Sequence, residues 1–288
     1  MLNENDKKVL LFRSRFLKQK DYWIKKLSGE FETTDILFDF DTIHPIETGE
    51  GRIEISFPIP LGTQIMKLSK NSDLSIYIFL LAALKTLIFR YTASEDIITI
   101  SPINTLKITA ETINTILFIR DRLESHMTFK EVVLNVRQSV LEAYENQDYP
   151  FDTLLEYLFT SAEAQNQRAV SNIRCSMGSI HDDRNIEKIN AGLSFHFVRD
   201  EDRLKGYVLY EPLSCKKTGI LQFLGHFINL LAEVVANIDC GISGISFLTE
   251  QEKKHLLAYF NDNKEGPPDA KTIVHLIEEQ VERVPDNT

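Results

Sequence analysis

The chain has 288 residues, 43% hydrophobic and 26% charged, a composition that argues against wholesale disorder and fits one large soluble domain or two small ones. Acidic residues number 42 against 32 basic ones, a net charge of −10, so there is no basic excess to neutralise phosphates and nucleic acid is not an expected partner. Three cysteines (Cys175, Cys215 and Cys240) with no CxxC pair argue against a disulfide framework or a zinc site and fit a reducing, cytoplasmic setting.

In chain order, the N-terminus is charged and lacks the apolar core of a secretory signal. Phe12 to Leu27 reads as a helix, with Phe16, Tyr22, Trp23 and Leu27 on one stripe and Gly29 ending it. Residues 30–50 are acidic and turn-rich. Arg52 to Phe57 alternates as a strand does, and Pro58 and Pro60 punctuate it. Leu61 to Lys70 reads as a short helix. Ser72 and Asp73 cap an apolar helix to Arg90, whose core run, Ile76 to Phe89, is too short for a membrane span and is interrupted by Lys85. No membrane association is expected. Asp96 to Ile100 and Thr115 to Ile119 are β-branched runs that read as buried strands.

Thr128 opens an amphipathic helix through Tyr144, with Glu131 placed three residues on for a capping box. Pro150 stands at the first turn of a further helix, Phe151 to Phe159. Ile173 to Ile180, Leu193 to Val198 and Leu204 to Tyr210 read as strands, followed by a long helix from Thr218 to Asn237. A helix from Leu248 to Phe260, a polar Gly/Pro linker over residues 262–271 and a last helix from Thr272 to Arg283 complete the chain. Helices interleaved with six or seven strands predict a mixed sheet covered by helices.

Local chemical motifs are absent. The closest of the seven histidines are fifteen positions apart, and there is no GxSxG, GxxxxGK[ST] or GxGxxG. His196, within a strand, reads as structural or as a base awaiting a partner and a pocket. His226 reads as helix packing. His181 with Asp182 and Asp183 could bind a cation loosely or be an ordinary charged loop. Cys215, followed by Lys216 and Lys217, could be a reactive thiol or an inert one.

Several stretches, taken together, resemble the condensation domains of nonribosomal peptide synthetases. Asn146, Gln147, Asp148, Tyr149, Pro150 and Phe151 match the family's His/Asn-Gln-Asp-x-Pro-Phe-Glu motif, with Asp152 in place of Glu. Residues 80–104 are similar to the family's helix, Arg-Tyr-Thr-Gly-Gln-Glu-Asp-Ile turn and strand. Residues 20–30 are similar to its Tyr-Trp helix, and residues 248–288 to its junction with an adenylation domain. Other elements depart from the pattern: residues 101–107 lack the Gly and Arg of the family's Gly-Thr-Pro-x-Ala-Gly-Arg loop, and residues 169–177 lack its Pro-Leu-Phe.

The resemblance implies an α/β (α+β) sandwich, a single chloramphenicol-acetyltransferase-like lobe. It implies a partial condensation domain over residues 1–262, the C-terminal lobe, with a linker and the first helix of an adenylation domain over residues 263–288. Full condensation domains pair two such lobes, and the N-terminal one carries a His-His-x-x-x-Asp-Gly motif; no double His occurs here. The expectation is a non-catalytic platform at the start of a synthetase. Asn146 to Asp152 are then architectural, and no catalytic, cofactor or metal residue is implied; phosphopantetheine would sit on carrier domains elsewhere. The implied partner is a downstream adenylation domain in cis, with a carrier protein or a missing lobe in trans as further partners. Two alternatives stay open. The chain could be half of a condensation enzyme completed in trans, or a stand-alone acyltransferase with His196 as its base.

Overall fold

The computed structural model describes residues 4–29, 51–108, 114, 116–150, 171–181, 192–212, 215–261 and 273–283. Its contacts divide the chain into a large unit, residues 1–247, and a small one, residues 248–288. The expected boundary at 262/263 falls among residues outside the described set.

The large unit begins with α1 (Glu4–Leu27), which starts eight residues before the predicted Phe12. Gly29, at φ 91°, turns the chain just past its end. After β1 (Gly51–Ser56), α2 (Ile59–Leu68) opens on Pro58 as its cap, so the prolines that close the strand also start the helix. Next comes α3 (Asp73–Thr92), capped by Ser72, whose hydroxyl accepts from the Ser75 N–H at 3.4 Å. Every residue from Ile76 to Phe89 is buried, which is why this helix is apolar on all sides. β2 (Asp96–Pro102) and β3 (Ile116–Arg122) follow. α4 (Phe129–Glu145) carries the expected capping box: Thr128 Oγ1 accepts from the Glu131 N–H at 3.3 Å, and Glu131 Oε2 accepts from the Thr128 N–H at 2.7 Å. The predicted helix Phe151 to Phe159 lies outside the described residues.

β4 (Ile173–Met177) ends three residues before the predicted Ile180. There the Ile180 and His181 amides both donate to the Met177 carbonyl and close a turn. β5 (Leu193–Asp200), β6 (Arg203–Tyr210) and α5 (Lys217–Ala236) complete the large unit. The small unit holds α6 (Glu250–Asn261) and α7 (Ile273–Arg283). α6 opens on a second capping box, between Thr249 and Glu252.

The six described strands form one mixed sheet in the order β1-β6-β5-β4-β2-β3. β4 runs parallel to both β2 and β5, and the other pairs are antiparallel. Register sorts the side chains. Cys175 and Phe195 share a face, on which Phe195 and Phe197 meet Phe223 and Phe227 of α5. The opposite face carries Arg174 beside Ser194, and Ser176 beside His196, all buried. Gly206 is required where β5 and β6 meet, because a Cβ there would stand 2.7 Å from the His196 carbonyl oxygen.

Candidate functional site

The Asn146–Pro150 motif is the turn that follows α4, and three separate parts of the lobe converge on it. From α1, the Trp23 indole donates to the Asn146 carbonyl at 2.8 Å and the Gln19 amide to the Glu145 carbonyl at 3.3 Å. Arg15 pairs with Asp148 at 2.5 Å, and the Phe16 ring sits 4.8 Å from that of Tyr149. From the loop after β2, the Asn104 N–H donates to Gln147 Oε1 at 3.1 Å, while Gln147 Nε2 donates back to the Asn104 carbonyl at 3.5 Å. One buried side-chain amide thereby satisfies both backbone polar groups of a distant residue, as a neighbouring strand would. Before β3, Asn114 Nδ2 donates to the carbonyls of Gln147 and Tyr149 at 2.6 and 2.5 Å. Asn146 Nδ2 donates to the Glu142 carbonyl at 2.7 Å, closing the helix end. Phe151 and Asp152, the remaining motif residues, lie outside the described residues.

The sequence singled out His196, and burial decides what it can do. It is 2% exposed, its Nδ1 lies 2.6 Å from Ser176 Oγ, and its ring packs 4.7 Å from Tyr207, which carries the Arg52 guanidinium at 3.7 Å. A general base must reach the proton that it removes. Among the described residues, one groove of about 890 Å³ includes Tyr22, Lys26, Arg120 and Glu142, and another of about 430 Å³ includes Phe57, Ile59 and Leu204. Neither is lined by a histidine.

His181, read as a loose cation ligand, is buried with both ring nitrogens engaged. Nδ1 accepts from the Met177 N–H at 2.9 Å, so the proton sits on Nε2, which faces the Tyr144 hydroxyl at 2.7 Å. Burial, then the nearby His196, push its pKa down to about 3. Asp182 and Asp183 lie outside the described residues. Among the described residues no group of three or more His, Cys, Asp or Glu is placed to hold a metal ion. Nor is Cys215 an activated thiol: burial and the adjacent Glu211 push its pKa up to about 11, against the two lysines that follow it. His226 packs on α5 as read, with Nδ1 2.5 Å from the Tyr91 hydroxyl.

One ionic group escaped the sequence reading. Lys85 is fully buried on α3, where its ammonium meets Asp121 Oδ2 at 2.8 Å and donates to the carbonyls of Ile119 and Ile97 at 2.6 and 3.0 Å. Ser139 of α4 donates to Asp121 Oδ1 at 2.5 Å and accepts from Lys26 of α1 at 2.8 Å. Burial lowers the Lys85 pKa and Asp121 opposes that shift. The ammonium is committed to one carboxylate and two carbonyls, so this is a structural tie between helices and sheet, not a free amine.

With the geometry in place, the chain can be set beside known proteins. A profile of the condensation domain matches residues 7–257. The chain belongs to the condensation-domain family. It is 30% identical to gramicidin S synthase 2 of Brevibacillus brevis over 297 residues, 94% of this chain but 6% of that protein. It is 28% identical to bacitracin synthase 2 of Bacillus licheniformis, over 96% of this chain and 11% of that protein. The chain thus spans a small part of the curated relatives that it matches. Among solved structures, the X-domain of teicoplanin biosynthesis in complex with OxyB superposes with a TM-score of 0.65 at 19% identity, covering 82% of this chain and 56% of that one. A four-domain nonribosomal peptide synthetase bound to AMP and glycine superposes with a TM-score of 0.64 at 10% identity, covering 94% of this chain and 23% of that one. These likenesses bear out the α/β lobe that the motifs implied.

Proposed function

We propose that this condensation-domain lobe makes no bond itself and serves as a structural and interaction platform, with an adenylation domain following it in cis. The observation that carries the reading is the commitment of the polar groups that could do chemistry. The motif residues Asn146, Gln147 and Asp148 are bonded to α1, α4 and the loop after β2, and His181 and His196 are buried in internal hydrogen bonds. No two histidines are adjacent in the 288 residues. A neighbour in fold, the X-domain of teicoplanin biosynthesis, forms a complex with OxyB, which supports binding as a use for such a lobe. Under this reading the expected setting is cytoplasmic, residues 263–288 open the adenylation domain, and the segment itself carries no cofactor.

The test uses the full parent synthetase with and without residues 1–262, read by amino-acid-dependent adenylate formation and carrier loading. Loss of solubility or of adenylation on deletion supports the platform reading. Unchanged adenylation and solubility overturn it. Peptide-bond formation that appears only when a separate lobe carrying the His-His motif is added also overturns it, in favour of catalysis in trans.

A further inference from the structure

The end of the large unit is held by a cluster that the condensation chemistry does not explain. Arg90, at the end of α3, directs one guanidinium nitrogen, Nη1, at three carbonyls: Ile242 at 3.0 Å, Ile245 at 3.3 Å and Ser243 at a shorter distance. Its guanidinium also lies 5.2 Å from the centre of the Phe247 ring. Tyr91 and His226, themselves hydrogen-bonded, bracket the same ring at 5.9 and 5.2 Å. Asn229 of α5 donates to the Phe247 carbonyl at 3.1 Å. α3 and α5 thus grip one aromatic residue by ring and backbone together, and Phe247 is the last residue of the unit.

The grip differs from the core beneath it. Tyr91, Ser243, Gly244 and Ser246 are exposed and Arg90 and Phe247 are half-buried, while Ile245 and His226 are buried like the neighbouring Phe223. Upstream, the segment is tied separately to the start of α4: Phe129 and Lys130 donate to the carbonyls of Cys240 and Ile238, and Ile242 donates to Met127. Segments with few buried contacts and solvent-facing bonds open locally, at free energies below that of global unfolding.

We propose that Arg90, Tyr91, His226 and Asn229 form a clamp on Phe247 that fixes where the chain leaves the lobe and opens locally without unfolding it. Whatever follows Phe247 starts from that point while the clamp is shut. The segment Gly244–Phe247 is then the moving part, and the bonds that tie Ile238–Ser243 to residues 125–130 are its hinge.

The experiment is hydrogen exchange on the full chain, comparing the unaltered protein with Phe247→Ala and with Arg90→Met. Arg90→Met should exchange the Gly244 amide, which donates to the Gly241 carbonyl, at least about tenfold faster, as loss of a charge-assisted bond implies, and Phe247→Ala, which removes the gripped ring, should raise it in the same direction. Amides of β4 and β5 should keep their rates. A protease acting after Phe247 should also cut both variants faster. Unchanged exchange at 244–247 in both variants would overturn the proposal, because the contacts would then hold nothing. Acceleration that spreads equally to β4 and β5 would overturn it too, because the cluster would then be ordinary core. If Phe247→Ala fails to fold, Arg90→Met decides alone, since it leaves the ring in place.

Discussion

Changing His181 to Asn isolates a titration that the fold suppresses. The native imidazole is neutral and buried, with its pKa near 3 against 6.5 when unfolded. The sign follows directly: the unfolded chain takes up this proton below pH 6.5 and the folded one does not, so the stability tied to His181 is whole above 6.5 and is lost as the pH falls towards 3. Between pH 7.5 and pH 5 these two values give a loss of about 2 kcal/mol from this residue, at up to about 1.4 kcal/mol per pH unit. His181→Asn has no such proton. Its amide oxygen can still accept from the Met177 N–H, while the Tyr144 hydroxyl loses a partner, at about 1–3 kcal/mol at every pH. The assay is urea denaturation of both proteins at pH 7.5 and 5. The variant should start less stable and lose about 2 kcal/mol less on acidification. The comparison removes the shared effect of carboxylates such as Glu131 and Asp200, whose pKa values are lowered in the fold. Parallel loss in the two proteins would refute the argument, because His181 would then titrate normally in the native state.

Two further outcomes follow from buried polar groups. Lys85→Met leaves the Asp121 carboxylate buried without its ammonium and should cost about 3–5 kcal/mol in chemical denaturation, whereas Lys85→Met combined with Asp121→Asn should recover a large part of that loss. Gln147→Ala strips the Asn104 N–H of its buried acceptor and should cost about 1–3 kcal/mol, and adding Asn114→Ala should cost less than the sum of the single changes, because both residues hold the same turn.

Where information was local, the sequence could be read closely. The α4 capping box needs only a Thr and a Glu three residues apart, and it forms as read. The α3 cap at Ser72 is equally local. Failures came where partners are distant. The sequence places the start of α1 late because residues 4–8 are charged or polar and the apolar residues 9–11 are consecutive, with no helical spacing. Ile180 looks like strand, yet a Met177-centred turn ends β4 before it. Lys85 looked like an interruption of an apolar run; its partner Asp121 stands 36 positions away and is brought to it only by the pairing of β2 with β3. Gln147 could be matched to a motif, but nothing local shows that it binds the backbone of Asn104. The order of the six strands, with two parallel pairs in the middle, left no trace in composition or periodicity.

The Gln147–Asn104 pair also bears on why this lobe resembles its family in one place and not in another. Asn104 lies in the loop that lacks the family's Gly and Arg, whereas Gln147 lies in the motif that matches best. Their contact runs from a side chain on the motif side to a backbone unit on the loop side. A backbone amide presents the same donor and acceptor whatever side chain it carries, so the loop is free to change residues so long as its path is kept. The Gln side is not free, because Asn cannot span the same distance and Glu would offer no donor to the Asn104 carbonyl. Trp23 bonding the Asn146 carbonyl and Asn114 bonding the Gln147 and Tyr149 carbonyls reverse this asymmetry: there the motif supplies backbone, and the residue types held are Trp23 and Asn114. Folding alone is therefore enough to hold Gln147 to its residue type. Its presence would be expected in a lobe that does chemistry and in one that does not, and the choice between the two rests on the histidines.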